Sequence, residues 1–175
     1  MQQQKALRRG YRRRGSQVVE VGLTLIPFFA IVFLTVDVAL ATFVGATLQH
    51  AAREGVRFAV IGRCLDRSGA VQPVGQCPAG GMFHDESIKT VVQHNALGFL
   101  SGDAGASKIK IRYYTPDTLT ETTSNGGGNL VEISVEGFSW RPLAPLLRSS
   151  SAVPISARAS DKMEPSAGGV PPRRS

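Results

Sequence analysis

The chain's one long apolar run opens on the sequence Gly15-Ser16-Gln17-Val18-Val19-Glu20-Val21. No charged residue follows over residues 21–36, and beyond Asp37 the sequence stays apolar to Leu48. A helix needs about 20 predominantly apolar residues to cross a bilayer, so this run predicts a transmembrane helix. Glu20 stands near its start, where an ionised side chain in lipid is costly and therefore marks a functional position.

The basic residues of the chain are concentrated ahead of this run. The net charge is +7, and residues 1–15 hold no acid and six basic side chains, Lys5, Arg8, Arg9, Arg12, Arg13 and Arg14. Residues 16–175 are therefore nearly neutral and show no basic stripe interleaved with aromatic residues, so we expect no nucleic-acid partner. Basic residues before a span favour a cytoplasmic location for that end, which predicts a cytoplasmic leader and an exported remainder.

A secretory signal peptide is the rival interpretation of a basic leader before an apolar run. Such a peptide has an apolar region of about 7–15 residues that ends at a cleavage site of small residues, and the run here is longer. We therefore predict one retained helix over residues 16–61, about 68 Å long and kinked at Pro27, with about half of it beyond a bilayer core of about 30 Å. Asp37 either marks the far interface, which we favour, or faces another subunit.

The residues after the helix predict a small α+β domain over residues 62–164. Glycines and prolines over residues 63–84 indicate a loop. A second helix is predicted over residues 86–99, with Asp85 as its N-cap and apolar residues along one side.

Three strands complete the predicted domain. Lys108–Tyr113 and Leu130–Glu136 alternate strictly between apolar and polar residues, and we pair them antiparallel because their polar faces carry opposite charges. A weaker third strand over residues 153–160 contains Pro154, which restricts it to a sheet edge or a strand start. The Pro-rich tail, residues 165–175, is predicted to be disordered.

Cys64 and Cys77 both fall in the part predicted to be exported. An even number of cysteines in an oxidising compartment favours a disulfide, which would close a loop of about 14 residues and contribute about 3 kcal/mol. Two unpaired thiols in a cytoplasmic loop are the alternative. Neither the two cysteines nor the scattered histidines have the spacing of metal ligands, and no nucleophile elbow or phosphate-binding loop follows a strand. We therefore expect no metal, no cofactor and no catalytic activity.

The chain resembles the TadE/TadF-like pseudopilins of the tight-adherence (Tad/Flp) pilus machinery. The likeness is most specific over residues 12–20, Arg-Arg-Arg-Gly-Ser-Gln-Val-Val-Glu, which follow the type IV prepilin signature, and over residues 46–60. A looser third part comprises residues 131–135 and 142–146 and the segment that ends near Glu164. Val21 departs from the family pattern, in which an aromatic residue commonly follows the glutamate.

The resemblance implies a pilin-like architecture and a minor pseudopilin of the bacterial inner membrane. A prepilin peptidase would cut after Gly15 on the cytoplasmic face and free the amine of Ser16. Glu20 would then pair with that amine on a neighbouring subunit, and Asp37 is a second candidate for assembly contacts. The implied partners are the inner membrane, the prepilin peptidase, other pseudopilins and the pilus assembly platform.

An uncleaved single-pass membrane protein with an extracytoplasmic binding domain is the alternative function. It shares the span and the domain with the pseudopilin and differs in processing. A membrane-tethered enzyme is disfavoured because the sequence contains no catalytic constellation.

Overall fold

The computed structural model describes residues 2–73, 77, 80–142, 152–166 and 169–174, with side chains inside α1 described from residue 17 onward. One long helix, α1, runs from Gln2 to Val60 and contains Pro27. The sequence predicted a helix start at residue 16, and the structure places the start earlier. The leader consists mostly of Gln, Arg and Lys, which favour helix where no proline intervenes.

The chain divides into two compact units, residues 1–41 with 141–152 and residues 42–140 with 153–175. The first unit contains the apolar part of α1. The second contains the end of α1 and all the other elements. It begins at Thr42 because the last turns of α1 supply part of its core, and the boundary at residue 62 between helix and exported domain stays a prediction.

The second unit has an α+β fold, as the sequence predicted. After α1 come α2 (His84–Asn95), α3 (Gly102–Ala106), β1 (Ile109–Tyr114), β2 (Glu121–Thr122), β3 (Leu130–Trp140) and β4 (Val153–Lys162). The strands form one antiparallel sheet in the order β2-β1-β3-β4. Elements as short as α3 and β2 carry no periodic pattern, so the sequence did not reveal them.

The predicted antiparallel pairing of β1 with β3 is confirmed. Arg112 lies directly opposite Glu132, and Arg112 Nη1 is 3.5 Å from Glu132 Oε1 and 2.8 Å from Glu136 Oε1. The hydrogen bond from Arg112 lowers the pKa of Glu136. The register that buries Ile109, Tyr113 and their β3 partners therefore also places opposite charges next to each other on the outer face of the sheet.

β3 continues beyond the predicted end at Glu136. The pairing of β3 with β4 shifts between Val135 and Phe138 and then resumes to Trp140. Gly137 lies at this bulge with a φ of 72°, a left-handed conformation that glycine adopts without strain. The strict alternation of apolar and polar residues stops at this bulge. The sequence pattern therefore predicted an end of β3 that was too early.

The core forms where α1, α2 and the sheet meet. A Cβ atom added to Gly55 would lie 2.4 Å from Val92 Cγ2 and 3.1 Å from Ile133 Cδ1, so the glycine allows these three elements to approach closely. Residues at spacings of three and four along the last turns of α1 form a buried stripe of apolar and small side chains, at Val44, Leu48, Ala51, Ala52, Gly55 and Ala59. Other fully buried members of the core are Ile88, Val92, Ala96, Leu100, Val131, Ile133 and Val135.

The predicted bounds of α2 were wrong at both ends. The N-cap is Phe83, not Asp85, and its N–H donates to Glu86 Oε2 at 3.2 Å. The helix ends at Asn95 rather than residue 99 because Leu97 and Gly98 have φ angles of 49° and 87°, outside the helical region. Asp85 lies in the first turn, where its side chain has a different partner.

The tail contacts the rest of the second unit over residues 169–174, in contrast to the predicted disorder. Asn125 Nδ2 donates to Pro172 O and the His84 N–H donates to Arg173 O, both at 2.9 Å. A prediction from composition misses such contacts. The tail prolines restrict φ, which reduces the entropy lost when the segment is ordered.

Candidate functional site

The apolar part of α1 exposes its side chains on every side. Leu23, Ile26 and Ile31 are 71%, 69% and 65% exposed. Residues 17–60 form a helix long and apolar enough to cross a membrane, and its most apolar window has a mean hydropathy of 2.3 with 6% of its residues buried. A helix that is apolar all round requires either a protein core or lipid around it, and the described residues provide no core around this part of α1.

Gly15 and Ser16 lie within α1, and the side chain of Ser16 is outside the described part of the structure. Glu20 is exposed one turn beyond them. Thr24 Oγ1 donates to Glu20 O at 3.0 Å, which satisfies this hydroxyl within the helix. The described side chains, which within α1 begin at residue 17, include no hydrogen-bond or ion-pair partner for the Glu20 carboxylate.

Asp37 is in a different environment from Glu20. It is 4% exposed, whereas the interpretation favoured from the sequence placed it at a lipid–water interface. The two acids are 17 positions apart on one helix, or about 25 Å at 1.5 Å per residue. The structure therefore does not bring them together into one site, and an assembly role for Asp37 stays a prediction.

Cys64 and Cys77 are joined by a disulfide in the structure, with their Cα atoms 5.2 Å apart, within the usual range for such a bond. Cys64 is fully buried beside the end of α1. Leu65 and Val71 form an isolated antiparallel bridge between the two cysteines. The bond thus closes a loop that follows α1 directly.

A buried polar cluster that the sequence did not predict joins α2, β1 and the tail. Tyr113 Oη donates to Asp85 Oδ1 at 3.1 Å, and Arg174 Nε donates to Asp85 Oδ2 at 3.0 Å. The Arg174 guanidinium also stacks 4.3 Å from the Tyr113 ring centroid. Burial, with the Asp85 charge, raises the pKa of Tyr113, so the phenol stays a neutral donor. The three residues are far apart in sequence, and only the tail's arginines could have suggested the contact.

His84, next to this cluster, is fully buried. Neither of its ring nitrogens has a hydrogen-bond partner among the described residues. Burial lowers the pKa of His84 to about 4, against an opposing effect of the Asp85 charge. The imidazole is therefore neutral at pH 7 and behaves as part of the core.

Gln49 forms a second unpredicted contact, between α1 and the edge of the sheet. Its Nε2 donates to Arg158 O at 2.7 Å, and its Oε1 accepts from the Arg158 N–H at 3.3 Å. The amide thereby pairs with backbone groups that β4 would otherwise expose at its edge. A polar residue beside the buried stripe of α1 was the available signal.

The described residues contain no cluster of three or more His, Cys, Asp or Glu side chains suited to a metal ion. His50 and His94 are exposed, whereas His84 is buried. The scattered histidines noted in the sequence are thus not brought together in the part of the chain that the structure describes.

The family comparison falls on α1. Residues 15–57 match the model of a family described as TadE-like protein, which confirms the resemblance found in the sequence. The match begins at Gly15, includes Glu20 and Asp37, and ends at Arg57 close to the end of α1. No curated protein and no solved structure matches the chain.

Proposed function

From the TadE-like segment at residues 15–57, we propose that this protein is a minor pseudopilin of a Tad/Flp-type pilus system. It is processed by a prepilin peptidase and required for pilus biogenesis, in adhesion or secretion. The observation that carries the proposal is the position of the family match, which begins at the predicted cleavage glycine and continues along an exposed apolar helix. In this role the chain is a substrate of an enzyme rather than an enzyme.

The charge distribution supports one orientation in the inner membrane. The basic leader stays in the cytoplasm by the positive-inside rule, and the domain beyond α1 is then periplasmic or extracellular. The bond between Cys64 and Cys77 suits that oxidising side. Cleavage after Gly15 removes all six basic residues of the leader, so orientation would be fixed before processing.

Glu20 has the chemistry to select and align a neighbouring subunit. Cleavage creates an α-amine on Ser16 with a pKa of about 7.7–8.0 in water, so the new terminus is mostly cationic at pH 7. An unpaired carboxylate in lipid costs about 3 kcal/mol, and an ion pair with a neighbour's amine reduces that cost. The partners we propose are therefore the peptidase, other pseudopilins and the assembly platform.

An uncleaved single-pass membrane protein remains the second candidate, and one feature favours it. The backbone is helical without interruption from Gln2 through Gly15 and Ser16, whereas a peptidase needs local access to the bond it cuts. Processing therefore requires the helix to open at Gly15, where glycine lowers the cost of leaving the helical state.

Processing can be tested by measuring the intact mass of the membrane-bound chain with and without co-expressed prepilin peptidase. We expect a mature chain that begins at Ser16, and an uncut precursor when Gly15→Leu crowds the cleft of the enzyme. Gly10→Leu, in the same basic leader, is the matched control and should be cut normally. A full-length wild-type chain in the presence of active peptidase would contradict the proposal and favour the uncleaved protein.

A further inference from the structure

Three aromatic rings from different elements meet at one end of the second unit. The ring centroids of Phe43 and Phe99 are 6.4 Å apart, and those of Phe99 and Phe138 are 6.2 Å apart, with both pairs edge to face. Phe43 belongs to α1, Phe99 follows α2, and Phe138 belongs to β3. The cluster thus joins the three elements that build the core.

Within the part of the chain that the structure describes, this cluster stays partly exposed. Phe43 is 52% exposed. Leu97, two residues before Phe99, and Val153, two residues before the Phe138 partner Ile155, are 68% and 46% exposed. Leu97 holds its exposed side chain on a left-handed backbone with a φ of 49°, a conformation that a branched apolar residue adopts at some cost. We call the exposed surface of Phe43, Leu97, Phe99, Phe138 and Val153 the aromatic patch.

The directions of α1 and β4 show which end of the unit carries the patch. A Cβ atom on Gly45 would lie 3.8 Å from Ile155 Cγ2, near the start of β4. Val60 O, at the end of α1, accepts from the Glu164 N–H just beyond β4. The two elements therefore run in the same direction, and the patch lies where both enter the unit.

The chain enters this unit directly from the apolar part of α1. Phe43 is the second residue of the unit and lies on the same continuous helix as exposed Val36 and Val38. Along the sequence, Phe43 is therefore the member of the patch that follows the apolar segment most closely. Phe and Leu side chains are typical of apolar faces that lie at the boundary between headgroups and acyl chains.

A positive charge accompanies the rings. Lys108 Nζ lies 5.4 Å from the Phe138 ring centroid. A lysine beside apolar surface can bury its stem and direct its amine to lipid phosphates. We propose that the aromatic patch rests on the membrane surface, with its side chains at the boundary of headgroups and acyl chains and Lys108 facing phosphate. This inference rests on the membrane insertion of α1 in the proposed function.

The only tryptophan of the chain makes the proposal measurable. Trp140 pairs with Val153 beside the patch. The full chain is reconstituted into vesicles of phosphatidylcholine and phosphatidylglycerol, with and without bromine on the acyl chains, and vesicle flotation confirms insertion. Brominated lipid quenches tryptophan by contact, so we expect emission from Trp140 to fall to about half that in unbrominated vesicles if the patch lies at the interface.

Variants distinguish contact of the aromatic patch with the membrane from attachment of the chain through α1 alone. The double variant Phe43→Gln/Leu97→Asn makes the exposed part polar, and Asn tolerates the left-handed backbone at residue 97. We expect it to lose most of the quenching while still floating with vesicles. Leu119→Asn is the matched control, because Leu119 is also exposed, has a φ of 52° and lies at the opposite end of β1. It should leave quenching unchanged.

The outcomes distinguish this proposal from the function on which it rests. A wild-type chain that floats without quenching, or whose emission instead changes with protein concentration as a second copy covers the patch, overturns the patch proposal alone. Equal quenching in the double variant also overturns it. A folded chain that fails to float overturns the insertion of α1, and both proposals fail together.

Discussion

An exposed carboxylate within an apolar helix is costly in lipid unless it is paired, and Glu20 is such a residue. For Glu20→Gln we expect normal cleavage after Gly15, because the scissile bond is more than a turn away, and a loss of surface pili of about tenfold or more, because the ion pair offsets about 3 kcal/mol. Immunoblotting of sheared surface fractions measures the pili, and intact mass measures cleavage.

The matched control for Glu20 is Glu54→Gln. Glu54 lies on the same helix but within the second unit and beside solvent, so it should leave assembly unchanged. Wild-type piliation by the Glu20 variant would show that the carboxylate has no role in pairing.

The buried imidazole of His84 gives the fold a predictable response to acid. Its pKa falls from 6.5 to about 4 on folding, chiefly because of burial. Below pH 6.5 the unfolded chain therefore binds a proton that the folded chain excludes, so stability is complete above that pH and declines as pH falls toward 4. From pH 7.5 to 5 we expect a loss of about 2 kcal/mol.

Denaturant unfolding followed by Trp140 emission measures this loss, and His84→Leu should remove most of it. Between pH 7.5 and 5 the carboxylates with lowered pKa values do not change the free energy of unfolding. Asp66 and Glu136 have ordinary pKa values of 3.8 and 4.5, and their contribution to stability is lost only below these pH values. His94→Leu, at an exposed position, should keep the wild-type pH dependence. A wild-type free energy of unfolding that is constant from pH 7.5 to 5 would exclude the buried neutral histidine.

Among the elements, those with long periodic patterns could be predicted from the sequence. The stripe on α1 and the alternation in β1 and β3 each repeat several times, and the opposite charges of Arg112 and Glu132 indicated their pairing. Single residues decide where elements end, and these were missed. Phe83 caps α2 through its backbone, and Gly137 lets β3 pass a bulge, which no periodicity encodes.

The contact of α1 with α2 and β3 depends on the absence of a side chain at Gly55. For Gly55→Ala we expect a loss of about 1–3 kcal/mol from overpacking, because the new Cβ would lie 2.4 Å from Val92 Cγ2. This exceeds the gain of about 1 kcal/mol in helix propensity. Thermal unfolding of the detergent-solubilised chain measures the change. Gly22→Ala, with no atom within 4 Å of the added Cβ, keeps only the gain in helix propensity and should not lower the transition. A Gly55 variant at least as stable as wild type would contradict the packing argument.

At the scale of the whole molecule, the candidate processing site could be proposed from the sequence because its residues lie close together along the chain. Gly15, Ser16 and Glu20 follow one another along a single helix, so a linear motif contains them. The cluster of Asp85, Tyr113 and Arg174 needs the fold to assemble it. Its members come from α2, β1 and the tail, so no linear motif contains them.

The disulfide tests the topology of the whole chain, because it forms only if the domain beyond α1 reaches an oxidising compartment. In cells with the intact chain, we expect Cys64 and Cys77 to resist alkylation until a reductant is added, and then to gain two labels by intact mass. Reduction should also lower the stability of the domain by about 3 kcal/mol, since the bond closes a loop with a separation of 13 residues.

The single variant Cys64→Ser is the control for access, because it leaves Cys77 free to be labelled before and after reduction. Two labels on the unreduced wild-type chain in its native membrane would place the domain on the reducing side, and the orientation inferred from the basic leader would be wrong.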